Sequence, residues 1–122
     1  MLEILPLKDK ILQESICIQC GVKFDASLMA YAAYENGKPI GICQFYVKER
    51  EGALVDLTGY ANVHSPRSLF LMGRAVLNFI DLCGAQIVKC KNKNIDASLL
   101  CSMGFSKKSN ESFELDLSEV RD

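Results

Sequence analysis

The sequence predicts an α+β domain: a mixed, mostly antiparallel central sheet with helices on both faces. Short segments of alternating apolar residues are interleaved with segments whose apolar residues recur at helical spacing. The dipeptide Asn36-Gly37, a strong hairpin turn, joins two of the alternating segments. The resulting order is strand, helix, three strands, helix, strand, helix, one or two strands, so the helices must lie on the faces of one sheet.

The chain has room for this domain once. Its 122 residues match a single domain of ordinary size, and 49% hydrophobic residues supply one core. A net charge of −1 provides no basic field to displace counterions, which argues against nonspecific nucleic-acid binding. No apolar run approaches the roughly 18 to 20 residues of a membrane-spanning helix. Residues 1–8 alternate instead of presenting a basic start and a continuous apolar stretch. A cytoplasmic protein with no membrane partner is therefore expected.

Residues 2–7 alternate and contain Pro6, which suits a short first strand. Asp9 is placed to cap a helix running to about Cys20, with Ile11, Leu12, Ser15, Ile16 and Gln19 on its inward face and Gly21 as its stop. Residues 29–35 form a tyrosine-rich strand, and 39–48 return from the hairpin turn. Ile40, Ile42, Gln44 and Tyr46 alternate there with Gly41, Cys43, Phe45 and Val47, and two largely apolar faces predict a central strand covered on both sides.

Glu49-Arg50-Glu51-Gly52 reads as a charged turn, followed by a strand over 53–60 that completes an antiparallel meander. Ser65-Pro66 opens the next helix, serine as cap and proline in the first turn. Leu69, Gly73, Val76, Leu77, Ile80 and Cys83 then repeat at helical spacing until Gly84. A compact strand over 85–91 follows, then a short helix capped by Asn94 or Asp96 and reaching about Ser102. In 112–117, Phe113, Leu115 and Leu117 alternate with Glu114 and Asp116, giving a final half-exposed strand.

Six cysteines raise the question of metal. Cys17 and Cys20 share a helix face, but Cys43, Cys83, Cys90, Cys101 and the single His64 stand at no ligand-like spacing from them. Ile, Val or Leu flank most of the cysteines, as they flank small buried hydrophobes. No metal site is expected.

Three stretches, in this order, resemble the GNAT superfamily of acyl-CoA-dependent N-acyltransferases. Glu35-Asn36-Gly37-Lys38-Pro39-Ile40-Gly41-Ile42 is similar to the family's hairpin of second and third strands. The strand over 53–60 leads through a loop into the long helix from Pro66, and 94–105 resembles the penultimate helix, which ends in Gly-Phe. The resemblance spans nearly the whole chain. It implies direct transfer of an acyl group from acetyl-CoA to the amine of a small molecule or a protein, with backbone N–H groups holding the oxyanion. It also implies that the pyrophosphate of CoA lies against amides at the start of the central helix.

The family's phosphate loop reads Gln or Arg, two residues, Gly, any residue, then Gly or Ala. One alignment sets Phe70, Gly73 and Ala75 on it; another sets Ser68, Leu71 and Gly73. The resemblance thus makes Arg67, Ser68, Gly73, Arg74 and Ala75 the candidate cofactor-binding group, with both arginines as phosphate partners. The helix start at Ser65-Pro66 places Gly73 deep in the helix, where close packing against the sheet is its competing role.

The family often protonates the leaving thiolate with a tyrosine on the penultimate helix. Counting from Asn94 and Ala97 puts Cys101 there, and counting back from Gly104-Phe105 puts Leu100. Asp56 interrupts an apolar strand just before the loop and is the candidate general base, against the reading of an ordinary exposed aspartate. His64 lies in the loop near the implied cofactor site, and Tyr31, Tyr34, Tyr46 and Tyr60 either line an acceptor pocket or pack the strands. Only one helix and a loop over 23–27 separate the first two strands, where the family places two helices. The acceptor side is therefore shallow or completed by a second chain, as in a homodimer.

Two functions fit: an N-acetyltransferase that uses acetyl-CoA, and a catalytically degenerate GNAT-like binding or assembly module that does not. The second is supported by the loss of the leading Gln or Arg and of the tyrosine.

Overall fold

Alternation within residues 29–48 places two separate cores on the two faces of one sheet. Ala30, Ala32 and Ile42 fall in a cluster with Leu7, Ile16 and Cys17, whereas Ala33, Cys43 and Phe45 fall in the larger cluster with Met72, Val76 and Ile80. The structure, a computed structural model, describes residues 1–60 and 65–120. His64 lies outside the described residues.

The elements are β1 (Leu2–Leu7), α1 (Lys10–Cys20), β2 (Met29–Glu35), β3 (Lys38–Lys48), β4 (Glu51–Gly59), α2 (Pro66–Leu82), β5 (Ile87–Cys90), α3 (Ala97–Ser102), β6 (Ser106–Ser109), β7 (Ser112–Asp116) and α4 (Leu117–Val120). The strands form a seven-stranded sheet in the order β1-β2-β3-β4-β5-β7-β6. Every neighbouring pair is antiparallel except β4–β5, which is parallel because α2 carries the chain back across the sheet. α1 covers one face; α2 covers the other, where Leu100 of α3 and Met103 after it join its core. The expected fold class is the one observed.

Local signals set most of the boundaries. The Asp9 carboxylate accepts the N–H groups of Ile11 (2.9 Å) and Leu12 (3.3 Å), and Gly21 ends α1 in the left-handed region at φ 75°. Asp96, not Asn94, caps α3, accepting the Ser98 N–H at 2.8 Å. Asp116 accepts the Ser118 N–H in the same way (2.9 Å) and starts the short α4, which the alternation of the final strand concealed.

Three expectations are corrected. The buried face of α1 is Gln13, Ile16 and Cys17, while Ile11 is 82% exposed; Gln13 turns inward because polar partners wait for it there. Glu51 and Gly52 belong to β4, and the turn shrinks to Glu49-Arg50, with Glu49 at φ 58°. Gly52 is needed for packing: a Cβ there would stand 2.6 Å from Ile80 Cγ2. The strand expected over 85–91 pairs only from Ile87 to Cys90, since the Gln86 N–H is drawn to the Arg50 carbonyl oxygen (2.7 Å) and the chain leaves the sheet after Cys90.

Candidate active site

The strand that carries Asp56 changes partners and faces within three residues. Phe45 lies opposite Leu54 and Gln44 opposite Asp56, so Val55 is the extra residue of a β-bulge. The bulge lets Leu54 and Leu57 both enter the core under α2 while Asp56 turns to the opposite face, beside Gln44. On its other side β4 pairs with β5 only as far as Leu54 and Cys90. Beyond that point the two strands part.

Asn92 stands at the parting. Its Nδ2 donates to the Val55 carbonyl oxygen at 2.7 Å and lies 3.4 Å from Asp56 Oδ1, and its own Oδ1 accepts the Asn94 N–H at 2.8 Å. A cavity of about 360 Å³ opens here, lined by Cys20 and Lys23 at the end of α1, by Asp56 and Thr58 of β4, and by Asn92 and Ile95 before α3.

Asp56 is 8% exposed, which overturns its reading as an ordinary surface aspartate. Burial pushes its carboxyl above the usual carboxylate value, opposed by the N–H that Gln44 Nε2 donates to Oδ2 at 2.6 Å. Gln44 Nε2 also donates to the Lys23 carbonyl oxygen (2.9 Å), and Gln44 Oε1 accepts from Gln13 Nε2 (2.9 Å). Both glutamines are completely buried. A raised carboxyl at a cavity wall, held on Oδ2 by a short hydrogen bond and on Oδ1 only by a 3.4 Å contact, is equipped to take a proton.

The start of α2 is differently disposed. Ser65 Oγ accepts the Ser68 N–H (3.2 Å); Ser68 Oγ accepts the Ser65 N–H (3.1 Å) and donates to the Ser65 carbonyl oxygen (2.8 Å). Pro66 has no N–H to offer, so this capping box leaves the Arg67 N–H as the one opening amide without a partner among the described residues. Gly73 is the eighth residue of the helix and is buried; a Cβ there would collide with Met103 Sδ and stand 3.4 Å from Leu57 Cδ2. Its position serves the close packing of α2 on β4 and on the chain after α3.

No family model matches the chain, and no curated protein does. Solved structures match along almost its whole length. The ribosomal-protein-S18-alanine N-acetyltransferase from Escherichia coli is 12% identical with a TM-score of 0.76, over 95% of this chain and 94% of that one. The IAA acetyltransferase from Bacillus cereus ATCC 14579 is 10% identical with a TM-score of 0.76, over 95% and 99%. A paia N-acetyltransferase from Thermoplasma acidophilum, in complex with coenzyme A, is 10% identical with a TM-score of 0.71, over 95% and 99%. This is the GNAT fold.

On this GNAT fold the candidate residues do not all gather at one place. Arg67 is exposed and lines a cavity of about 490 Å³ with Leu2, Glu35 and Ile40. Arg74 is exposed two turns further on, in a cavity of about 230 Å³ with Asp81 and Leu117. Ala75 is half-buried between Arg74 and the core residue Val76. Cys101 is exposed on α3 while Leu100, the alternative at that position, is completely buried. Cys83 is exposed as well, so the expectation of buried thiols holds for Cys17, Cys43 and Cys90 but not for these two. Tyr31 packs against Phe45 and Phe79, with ring centroids 6.0 and 6.1 Å away.

Gln13, Gln44 and Asn92 were not among the residues that the sequence singled out for chemistry. Gln44 had a signal: an amide within an apolar strand covered on both faces requires a buried partner. Gln13 sits in a polar stretch of helix and Asn92 in a Lys-Asn-Lys-Asn loop, where neither stands out.

Proposed function

We propose that this chain is an N-acyltransferase of the GNAT fold, with acetyl-CoA as acyl donor, an amine as acceptor and Asp56 as general base. The observation that carries the reading is the buried Asp56 carboxyl at the wall of the cavity where β4 and β5 part. Burial raises its proton affinity toward the range in which a carboxylate relieves an ammonium of its proton.

The acyl end of the donor fits this place. β4 beyond Leu54 carries no β5 partner along that edge, and the cavity adjoins it. The described residues at the diphosphate end fit less well, because the capping box engages the Ser65 and Ser68 amides and leaves only the Arg67 N–H for an anion. Arg67 is the cation in the first turn of α2, and Arg74 lies in a separate cavity. Acetyl-CoA, when bound, supplies a thioester carbonyl open to an amine. The residues of the chain handle the proton of the acceptor: Asp56 Oδ1 receives it from the ammonium, Gln44 holds Oδ2, and Asn92 fixes the Val55 carbonyl at the bulge.

The capping box supports a second reading, a GNAT-fold binding or assembly module that makes no use of acetyl-CoA. Thermal unfolding with and without acetyl-CoA separates the two. A ligand at 100 times its Kd stabilises the fold by about 2.7 kcal/mol, and a shift of that order is expected. No shift at millimolar acetyl-CoA overturns the acyltransferase reading and leaves the module.

A further inference from the structure

The two oxygens of Asp56 are unequally available, and residues remote from the cavity create the inequality. Lys10, at the start of α1, has only protons to give; its Nζ donates to the Leu28 carbonyl oxygen (2.6 Å) and to Gln13 Oε1 (3.0 Å). With its oxygen engaged, Gln13 directs its nitrogen to the Leu28 carbonyl oxygen (3.4 Å) and to Gln44 Oε1 (2.9 Å). Gln44 Oε1 also accepts the Asp25 N–H (3.4 Å), which leaves its nitrogen for the Lys23 carbonyl oxygen (2.9 Å) and Asp56 Oδ2 (2.6 Å). Neither glutamine can flip without setting oxygen against oxygen or nitrogen against nitrogen. The chain of donors therefore runs one way, from ammonium to carboxylate, through two completely buried amides.

We propose that Gln44, oriented by Gln13 and Lys10, is a positioning residue that makes Asp56 Oδ1 the oxygen which takes the proton of the acceptor amine. The inference rests on the acyltransferase reading of the site. Oδ2 is committed to a short N–H donor, whereas Oδ1 meets only Asn92 Nδ2, at 3.4 Å, among the described residues. In the step itself the N–H bond of the ammonium breaks, an O–H bond forms at Oδ1, and the electron pair stays on nitrogen, which becomes a neutral amine.

The groups that face Asp56 from the surrounding elements do not compete for this proton. On its face, Cys17 of α1 has its thiol pushed up to about 11 by burial and by the Asp56 charge, and Cys20, which lines the cavity with Asp56, is pushed up to about 12 by burial; Cys43 of β3, in the core on the opposite face, is raised by burial as well. Glu14, which acts on Cys17, is exposed on α1, and Lys23 and Asp25 are exposed in the connection that follows α1. Asn92, before α3, does not titrate.

The test is carboxyl carbon NMR on the full chain, which reads protonation without substrate; the Asp56 resonance is the one absent from Asp56→Asn. Gln44→Met removes the donor at similar volume, and Lys10→Met removes the orienting ammonium at the exposed end of the chain of donors. In Gln44→Met the carboxyl should titrate about one unit or more above its value in the parent protein, roughly a tenfold gain in proton affinity. Lys10→Met should move it less, in the same direction. If Gln44→Met does not fold, Lys10→Met and Gln13→Met decide. Unchanged titration in the folded variants overturns the proposal. So does acyl transfer whose pH profile stays fixed in Gln44→Met while the carboxyl moves. A parent protein that transfers no acyl group to any amine overturns the acyltransferase reading instead and leaves the titration result standing.

Discussion

A carboxyl group out of water binds its proton more tightly than one in water, and at Asp56 a single short hydrogen bond from Gln44 offsets only part of that effect. Two outcomes follow from the same atoms. Asp56→Asn keeps the shape and removes the proposed base, so on the acyltransferase reading turnover should fall about a hundredfold or more while the acetyl-CoA-induced thermal shift is retained; steady-state kinetics beside a melting curve checks both. The stability effect has a definite sign. Because the folded carboxyl titrates above the unfolded one, its contribution is fully present below the ordinary value of 3.8 and is lost as pH rises through the raised value. The Asn variant should therefore gain in Tm on the parent as pH rises, as paired melting curves across acidic and neutral pH would show. Cys101→Ala should leave turnover unchanged, since this exposed side chain is not among those lining the cavity with Asp56; a fall in turnover would make Cys101 the proton donor to the thiolate.

In α2 the cap and the central glycine serve stability. Ser65→Ala removes one half of the capping box and should cost about 1 kcal/mol in denaturant unfolding. Gly73→Ala sets two opposing effects against each other: an alanine favours the helix by about 1 kcal/mol, but its Cβ meets Met103, where overpacking costs roughly 1 to 3 kcal/mol. Met103 is 2% exposed and has little room to withdraw. A net loss of stability is expected, with no change in the acetyl-CoA-induced thermal shift; a weakened shift would return Gly73 to the cofactor. The bulge at Val55 governs β4 in the same way, since in a strand of this sequence that alternated without a bulge Asp56 would share the face of Leu54, under α2.

The seven-stranded sheet holds the Asp56 cavity where the pairing of its two parallel neighbours stops, and that cavity depends on α1, β4 and the loop before α3 all reaching one place. Local rules made much of this legible in advance. Asn36-Gly37, Ser65-Pro66, Asp9 and Gly21 each act over a few residues, so their turns, caps and stops follow from the residues themselves. Alternation and helical spacing then ordered the elements, and Asp56 stood out as a charge within an apolar strand. The buried face of α1, the inclusion of Glu51 and Gly52 in β4 and the short reach of β5 were not legible, because each depends on a partner distant in the chain: Gln44 for Gln13, Ile80 for Gly52, Arg50 for Gln86. The donors running from Lys10 to Asp56 belong to the same class. Hydrogen bonds between residues 12 and 31 positions apart exist only once the sheet brings them within reach, so no short-range pattern records them.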